Sequence, residues 1–255
     1  MPEPRVLIST LFNEFYNYSL RSWLDYACEE RELYPHSDIL IVLDNISEAV
    51  NKDFVELAEC NKFLIRNLGT IPNEDPTRPN FQAIVKGRNE AFDVATNDGY
   101  DKLLFVDADT IPEVGSLVRM LDFFAMRRIG NVAMVGGNYH YKNQALDDKG
   151  KVTLVPVGDF PIKTDRGLYK QVRKFGWTDR VRGLGFGFTM IDRKIFSNPK
   201  YRLSLDFLRP DSPHGTEDYP VCKKVREDGY KLVWVQEIRA RHLYFNKELD
   251  RIERW

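Results

Sequence analysis

Leu103-Leu104-Phe105-Val106-Asp107-Ala108-Asp109 is the stretch that decides the fold. Four apolar residues in succession read as a strand buried on both faces, as in parallel sheets covered by helices. The run stops at two carboxylates spaced i, i+2. Side chains alternate along an extended chain, so Asp107 and Asp109 are predicted to point the same way. Two hard oxygen ligands at the end of a buried strand suit a divalent metal and, through it, a diphosphate. D-x-D alone is common in turns and helix caps, and Asp109 also stands where it would cap a helix opened by Pro112. The strand before it and the helix expected after it give the triplet its context.

Outward from this stretch, strands and helices alternate. Val6 to Ile8 and Ile39 to Leu43 read as buried strands, the second ending at Asp44-Asn45. Leu20, Trp23, Leu24 and Ala27 recur at helical spacing, as do Ile84, Val85, Phe92 and Ala95. Phe54, Leu57 and Ala58 indicate a further helix, followed by a short strand from Lys62 to Ile65. Pro72, Pro76 and Pro79 make residues 71–79 a loop. Pro112 is expected to open a helix with a core face of Val114, Leu117, Val118, Leu121 and Phe124. Val132 to Val135 is another strand. The alternation predicts an α/β fold with a mostly parallel, doubly wound sheet over residues 1–135. Ligands of such sheets lie beyond the carboxyl ends of the strands, where Asp44, Asp107 and Asp109 all fall.

Residues 136–255 follow a different pattern. Tyr139-His140-Tyr141, a turn at 147–150 and Val152 to Val157 read as an antiparallel hairpin. Gly183-Leu184-Gly185-Phe186-Gly187-Phe188 precedes a strand from Thr189 to Ile191. Thr216-Glu217-Asp218 opens a helix with Pro220 in its first turn and Gly229 past its end. Lys231 to Val235 is the last strand, with a tail holding His242. One domain over 1–255 is expected, its first half binding a ligand and its second completing the site.

The bulk numbers narrow the function classes. The chain has 255 residues, 43% hydrophobic and 29% charged, as for a globular domain. A net charge of −1 with no long basic block argues against a nucleic-acid partner. No run approaches the roughly 18 apolar residues of a transmembrane segment, and no signal peptide is visible. Cys28, Cys60 and Cys222 form no CxxC pair and no disulfide framework, so they read as inert packing residues. A soluble, intracellular, cytoplasmic protein is the expectation. His140 and His214 lack partners at metal-ligand spacing.

The order of the motifs resembles nucleotide-sugar-dependent glycosyltransferases of the GT-A fold, family 2 in style. Val6 to Glu14 resembles the first strand and nucleotide loop of that group. Lys86-Gly87-Arg88-Asn89-Glu90-Ala91 resembles the "ARN" motif preceding its D-x-D strand. Asp44 falls at the position of a base-contacting Asp. Gly183 to Phe188 resembles the Gly-rich acceptor segment, Gly215 to Asp218 the "ED" motif, and Arg241-His242 the late metal-binding His. The resemblance implies a Rossmann-like, mostly parallel central sheet flanked by helices, with a smaller antiparallel acceptor-side portion. It implies transfer of a sugar, a hexose above all, from a nucleoside-diphosphate donor to a glycan or other hydroxyl acceptor. UDP-sugars are the favoured donors and GDP-mannose an option.

Carried over residue by residue, the resemblance implies nucleotide contacts from Thr10, Leu11, Asn13, Asp44, Arg88, Asn89, Asp107, Ala108 and Asp109. It implies metal ligation by Asp109 and His242, with Asp107 at the ribose or a metal-bound water. A His beside a carboxylate suits Mn²⁺ better than Mg²⁺. Asp218, ahead of Glu217, is the candidate general base of an inverting transfer, a role compatible with capping the helix. Gly185, Phe186, Gly187 and Trp177 are candidates for the acceptor or sugar, within an aromatic and basic stretch that includes Tyr169, Arg173, Phe175 and Arg180. On the residues alone, Arg88 reads as a diphosphate contact or a structural pair, and Asn89 as a residue orienting a loop or the D-x-D carboxylates. Three departures stand out: Ser9 replaces the usual Pro, Leu11-Phe12 gives one more residue than the common spacing, and the Q-x-x-R-W motif of processive synthases is missing. A nucleotidyltransferase is disfavoured because Ser9 to Glu14 holds neither Gly nor Lys. A non-catalytic binding module is disfavoured because Asp109, Asp218 and His242 are all present.

Overall fold

The computed structural model describes residues 2–72, 80–126, 128–146, 152–157, 176–179, 181–206, 216–246 and 251–254. Its first half alternates as expected: β1 (Val6–Phe12), α1 (Leu20–Leu33), β2 (Ser37–Leu43), α2 (Glu48–Asn61), β3 (Leu64–Asn67), α3 (Phe81–Asn97) and β4 (Lys102–Val106). β3 starts two residues later than the apolar pattern indicated, because Lys62 adopts a left-handed turn conformation with φ 57°. Then come β5 (Thr110–Pro112), α4 (Ser116–Ala125), β6 (Val132–Leu146), β7 (Val152–Val157), β8 (Trp177–Thr178), β9 (Phe188–Asp192), α5 (Arg193–Phe196), α6 (Asp218–Glu227), β10 (Lys231–Asn246) and β11 (Arg251–Arg254).

The sheet runs β11-β10-β6-β9-β4-β1-β2-β3. β4, β1, β2 and β3 are mutually parallel, as are β6 and β10. β9 lies antiparallel between β4 and β6, and β11 antiparallel at the edge. The hairpin expected around residues 139–157 forms from β6 and β7.

Strand alternation sorts the core into two clusters. Ile8, Ile41 and Leu104 pack with Trp23 of α1, Phe54 of α2 and Leu117 of α4. Leu7, Val42 and Phe105 pack with Phe92 of α3, Ile195 of α5 and Val221 of α6. One residue of register slip in any of these strands would exchange the two faces. This is why a continuous apolar run was the correct sign of a doubly covered sheet.

The expected helix at Pro112 does not form. Thr110–Pro112 is a strand pairing antiparallel with β10, and the helix begins at Ser116, after Gly115 with φ 84°. Of the expected core face, Leu117, Leu121 and Phe124 pack on the core, joined by Met120, while Val114 and Val118 face solvent. Asp109 therefore caps no helix. The orphan N–H groups at the start of α4 are met from another element. Glu30 of α1, fully buried, accepts from the Gly115 N–H and the Leu117 N–H, both at 2.7 Å. Burial pushes the Glu30 carboxyl up, and those backbone N–H groups pull it back. Glu30→Ala leaves two buried N–H groups without acceptors and is expected to cost about 1–3 kcal/mol. Urea unfolding is the check, and Glu30→Gln, which keeps one acceptor, should lose less.

Candidate active site at the carboxyl edge of the sheet

The carboxyl ends of β1, β2 and β4 share one edge because these strands are parallel. At that edge β4 stops at Val106, and residues 107–110 form a turn in which the Thr110 N–H donates to Asp107 O at 2.9 Å. Asp107 and Asp109 thus converge through a turn, not through strand alternation. Both carboxylates bear on Tyr16, whose hydroxyl is pushed up first by burial and then by Asp109 and Asp107. Their own partners differ. Asp107 Oδ1 pairs with Arg88 Nη2 at 3.0 Å, and Asp109 Oδ2 with His242 Nε2 at 3.0 Å.

His242 lies in β10, not in a tail. The β5–β10 ladder sets His242 opposite Thr110, and the Leu243 N–H donates to Asp109 O at 2.7 Å. The strand that the Pro112 reading missed therefore brings His242 to the D-x-D turn. Two donor atoms at right angles about 2.1–2.2 Å from one ion stand about 3 Å apart, so this pair fits two adjacent ligand positions. Among the described residues no group of three or more His, Cys, Asp or Glu side chains could hold a metal.

Arg88 is the hub of the site. Its side chain is 8% exposed, packs against the stacked rings of Phe105 and Phe186, and pairs with Glu217 as well as Asp107. Burial works against its charge, but Glu217, Asp107 and Asp218 more than restore it. Burial raises the Glu217 carboxyl to about 7, against the pull of Arg88 and with the help of Asp218. Asp218 is likewise raised by burial, opposed by Arg88, the Thr216 side chain and the Phe186 N–H. The Phe186 N–H donates to Asp218 Oδ2 at 3.2 Å, while Oδ1 is buried and accepts nothing from a described residue.

The other anticipated residues separate into those near this cluster and those elsewhere. A Cβ on Gly187 would meet Asp107 Oδ2 and the Tyr139 hydroxyl, each at 2.6 Å, so only glycine lets these groups approach. The Tyr139 ring stands edge-on to His242, 6.1 Å between centroids. Asn13 caps a short 3₁₀ turn, Glu14–Tyr16, accepting from the Phe15 N–H, and so orders the turn that carries Tyr16. Tyr16 and Tyr139 were not picked out as site residues from sequence, since one tyrosine in a loop or strand carries no spacing signal. Asp44 is buried at the end of β2. Burial raises its carboxyl, the Ile71 N–H and Lys86 lower it, and Oδ1 has no described partner. Ile71 and Lys86 also line a cavity of about 470 Å³, together with Pro72, Asn89 and Leu205. Thr10 is buried in β1 with an unpartnered hydroxyl, and Ala108 is buried beneath the turn.

Three of the anticipated residues have side chains engaged within the fold. Leu11 packs its side chain where a Cβ on Gly87 would stand, so its side chain belongs to the β1–α3 contact. Asn89 holds the 203 backbone at both ends, Nδ2 donating to Leu203 O at 3.0 Å and Oδ1 accepting from the Leu203 N–H at 3.1 Å. Its amide is thereby committed to a loop. Trp177 pairs with β10 and sets its ring 6.2 Å from Phe123 of α4, next to Arg128. Of the cysteines, Cys222 is buried with its thiol pushed up by burial, but Cys60 is exposed. Tyr169, Arg173, Phe175, Arg180, His214 and Gly215 lie outside the described residues, as does the His140 side chain.

Neither a protein-family model nor a curated protein matches the sequence. Solved structures match over nearly its whole length. They include GalNAc-T7 with UDP, GalNAc and Mn²⁺, at TM-score 0.60 and 15% identity over 95% of this chain and 44% of that one. The mannosyltransferase PcManGT from Pyrobaculum calidifontis with GDP-Man and Mn²⁺ matches at 0.60 and 12% over 93% of this chain and 56% of its own. TarS from S. aureus matches at 0.59 and 9% over 92% and 36%. The chain thus spans roughly a third to a half of these longer proteins. The likeness shows a shared architecture: this chain has the GT-A fold.

Removing Arg88 should leave Glu217 buried without its counter-charge, so Arg88→Ala is expected to destabilise by about 3–5 kcal/mol near neutral pH. The penalty has a defined pH dependence. A carboxylate raised from 4.5 to about 7 gives stability that is fully present below 4.5 and lost as pH rises through 7. Without Arg88 the rise is larger, so the loss in Arg88→Ala should be smaller at about pH 5 than at about pH 8. Urea titrations of both proteins at the two pH values measure it.

Proposed function

We propose that this protein is a metal-dependent glycosyltransferase that moves a sugar from a nucleoside-diphosphate donor to an acceptor hydroxyl, with inversion. The observation that carries the reading is the Asp109–His242 pair at 3.0 Å, assembled at the ligand edge of a GT-A fold by segments distant in sequence. Two of the similar structures hold Mn²⁺ with UDP or GDP-Man. Asp109 and His242 would hold a divalent ion, Mn²⁺ ahead of Mg²⁺, which when bound supplies Lewis-acid stabilisation of the departing diphosphate.

The chain's own residues account for the rest. Asp44, a buried carboxylate with an unpartnered oxygen at the end of β2, suits an N–H of the donor base, as in uracil or guanine. The Thr10 hydroxyl offers a second unmet polar group on β1. Arg88 keeps Asp107 and Glu217 at fixed positions, so the donor and acceptor sides are assembled before substrate arrives. Asp218 takes the acceptor proton as the hydroxyl oxygen attacks the anomeric carbon. The sugar–phosphate bond breaks on the opposite face, and the diphosphate leaves with the electron pair. A carboxyl raised by burial is the stronger base for this step. Gly185, Phe186 and Gly187 bring backbone close to the acceptor side, Phe186 through its bond to Asp218. No helix among the described residues is long and apolar enough to cross a membrane.

A thermal-shift panel of UDP, GDP, CDP and TDP, each with and without Mn²⁺, should show a metal-dependent rise in melting temperature for one nucleotide. A flat panel would sink the reading. Asp109→Ala and His242→Ala should each abolish the Mn²⁺-dependent part of that shift. Asp218→Asn should lower transfer by at least about a thousandfold, judged by the usual size of base catalysis, while the nucleotide shift persists. Substantial remaining transfer would reassign the base to Glu217.

A further inference from the structure

α6 and the Gly-rich segment lie together on β6 and β10. Trp234 of β10 stands opposite Gly136 of β6. A Cβ on Gly136 would meet the Leu184 side chain at 2.8 Å, so Leu184 packs directly on that strand. The Leu184 N–H donates to Cys222 Sγ at 3.4 Å, and the Cys222 thiol donates back to Leu184 O at 3.6 Å. Trp234, Leu184 and Cys222 share one core cluster. α6 ends at Glu227, shortly before β10 begins at Lys231 opposite Val132, so α6 runs antiparallel to the two strands. Its first turn therefore lies toward their carboxyl ends. Asp218 precedes Cys222 by one helical turn, about 6 Å, and Asn138 follows Gly136 by two strand residues, about 6.6 Å. Alternation keeps Asn138 on the face of Gly136, while Tyr139 belongs to the opposite cluster. Asn138 and Asp218 thus advance from the same contact toward the same edge.

This junction holds polar atoms that the fold leaves unmet. Asn138, Trp234 and Asp218 are 8%, 4% and 5% exposed. Asn138 Oδ1 and Asp218 Oδ1 accept from no described residue, and Trp234 Nε1 donates to none. Gln236, two residues nearer the edge than Trp234 on β10, adds a buried Oε1 in the same condition. A buried polar group left unmet costs stability, and native proteins keep few of them. The surrounding groups are by contrast fully used. Cys222 takes both backbone groups of Leu184, Thr189 Oγ1 donates to Gly185 O at 2.8 Å, and Asp218 Oδ2 accepts from the Phe186 N–H at 3.2 Å. The unmet atoms are therefore confined to the side from which Asp218 is to take a proton.

The chemistry of the set selects its ligand. An apolar group would leave all four atoms unmet, an anion would meet the Asp218 carboxylate, and a cation would meet the Trp234 N–H. A neutral polyol suits them, because each sugar hydroxyl both donates and accepts. We propose that Asn138, Trp234 and Gln236 form a hydroxyl-binding subsite beside Asp218 that takes a neutral pyranose. The Asn138 and Gln236 oxygens accept from hydroxyls flanking the reacting one, and the Trp234 N–H donates to a sugar oxygen. Asp218 Oδ1 is left for the hydroxyl that reacts. The role of this sugar as acceptor rests on the glycosyltransferase reading; the hydroxyl site itself does not.

Saturation-transfer NMR with methyl glucoside, methyl galactoside and methyl mannoside, recorded without nucleotide, tests it, with cyclohexanol as the apolar ring control. At least one glycoside should bind, and more tightly than cyclohexanol. Asn138→Leu and Trp234→Phe should each weaken that glycoside at least about fivefold, the size of one lost hydrogen bond. Asn138→Leu exchanges an unmet polar group for an apolar one of similar size, so its urea midpoint should equal or exceed that of the wild type. The Mn²⁺-dependent nucleotide shift should be unchanged in both variants. Absence of glycoside binding, or glycoside binding indifferent to both variants as expected if buried water alone meets these atoms, overturns the proposal. Such a result beside a normal nucleotide shift leaves the transferase reading standing. A protein that binds glycosides through Asn138 and Trp234 but shows no nucleotide shift overturns the transferase reading and leaves the hydroxyl site.

Discussion

A single guanidinium, buried among three carboxylates, ties the molecule together. Arg88 sits on α3 and pairs with Asp107 at the end of β4 and with Glu217 at the start of α6. These segments belong to the two halves of the chain. A buried cation without partners would be prohibitively costly, and so would the buried carboxylates without the cation. The pairing therefore demands that β4 and α6 be in place together. The rings of Phe105 and Phe186 keep water from the guanidinium, which raises the electrostatic stake further.

The second constraint is backbone pairing. β5 is only Thr110–Pro112, yet its ladder with β10 sets His242 beside Asp109. Pro112 pairs at the end of this short ladder, where a missing N–H is tolerated. The helix that follows is then too late to be capped by its own preceding residues, and Glu30 reaches across from α1 to do so. One three-residue strand thus fixes the position of the candidate metal ligands and creates the need for a buried acid in another helix.

Legibility followed the range of the interaction. Leu103 to Val106, Ile39 to Leu43 and the helical spacing around Trp23 and Phe92 reported burial directly, because a sheet covered on both faces needs apolar residues at every strand position. The placement of Asp44, Asp107 and Asp109 at one edge followed from parallel strands alone. Pro112 misled because the residue that opens helices is also a residue that ends edge ladders, and only the partner strand distinguishes them. Asn89 and Leu11 stand within motifs that implied a nucleotide, but their side chains are occupied by the Leu203 backbone and by Gly87. Tyr16 and Tyr139 carry no spacing signal at all.

The amino-acid sequence alone determined the sheet, its two-sided covering and the edge at which acidic residues collect. These depend on periodicity and on turn chemistry, which act over a few neighbouring residues. Only the tertiary structure decided which charges meet: Arg88 with Asp107 and Glu217, and Asp109 with His242. Such pairings join segments far apart along the chain. Their energies depend on burial and on distances of a few ångströms, which no local pattern of residues encodes.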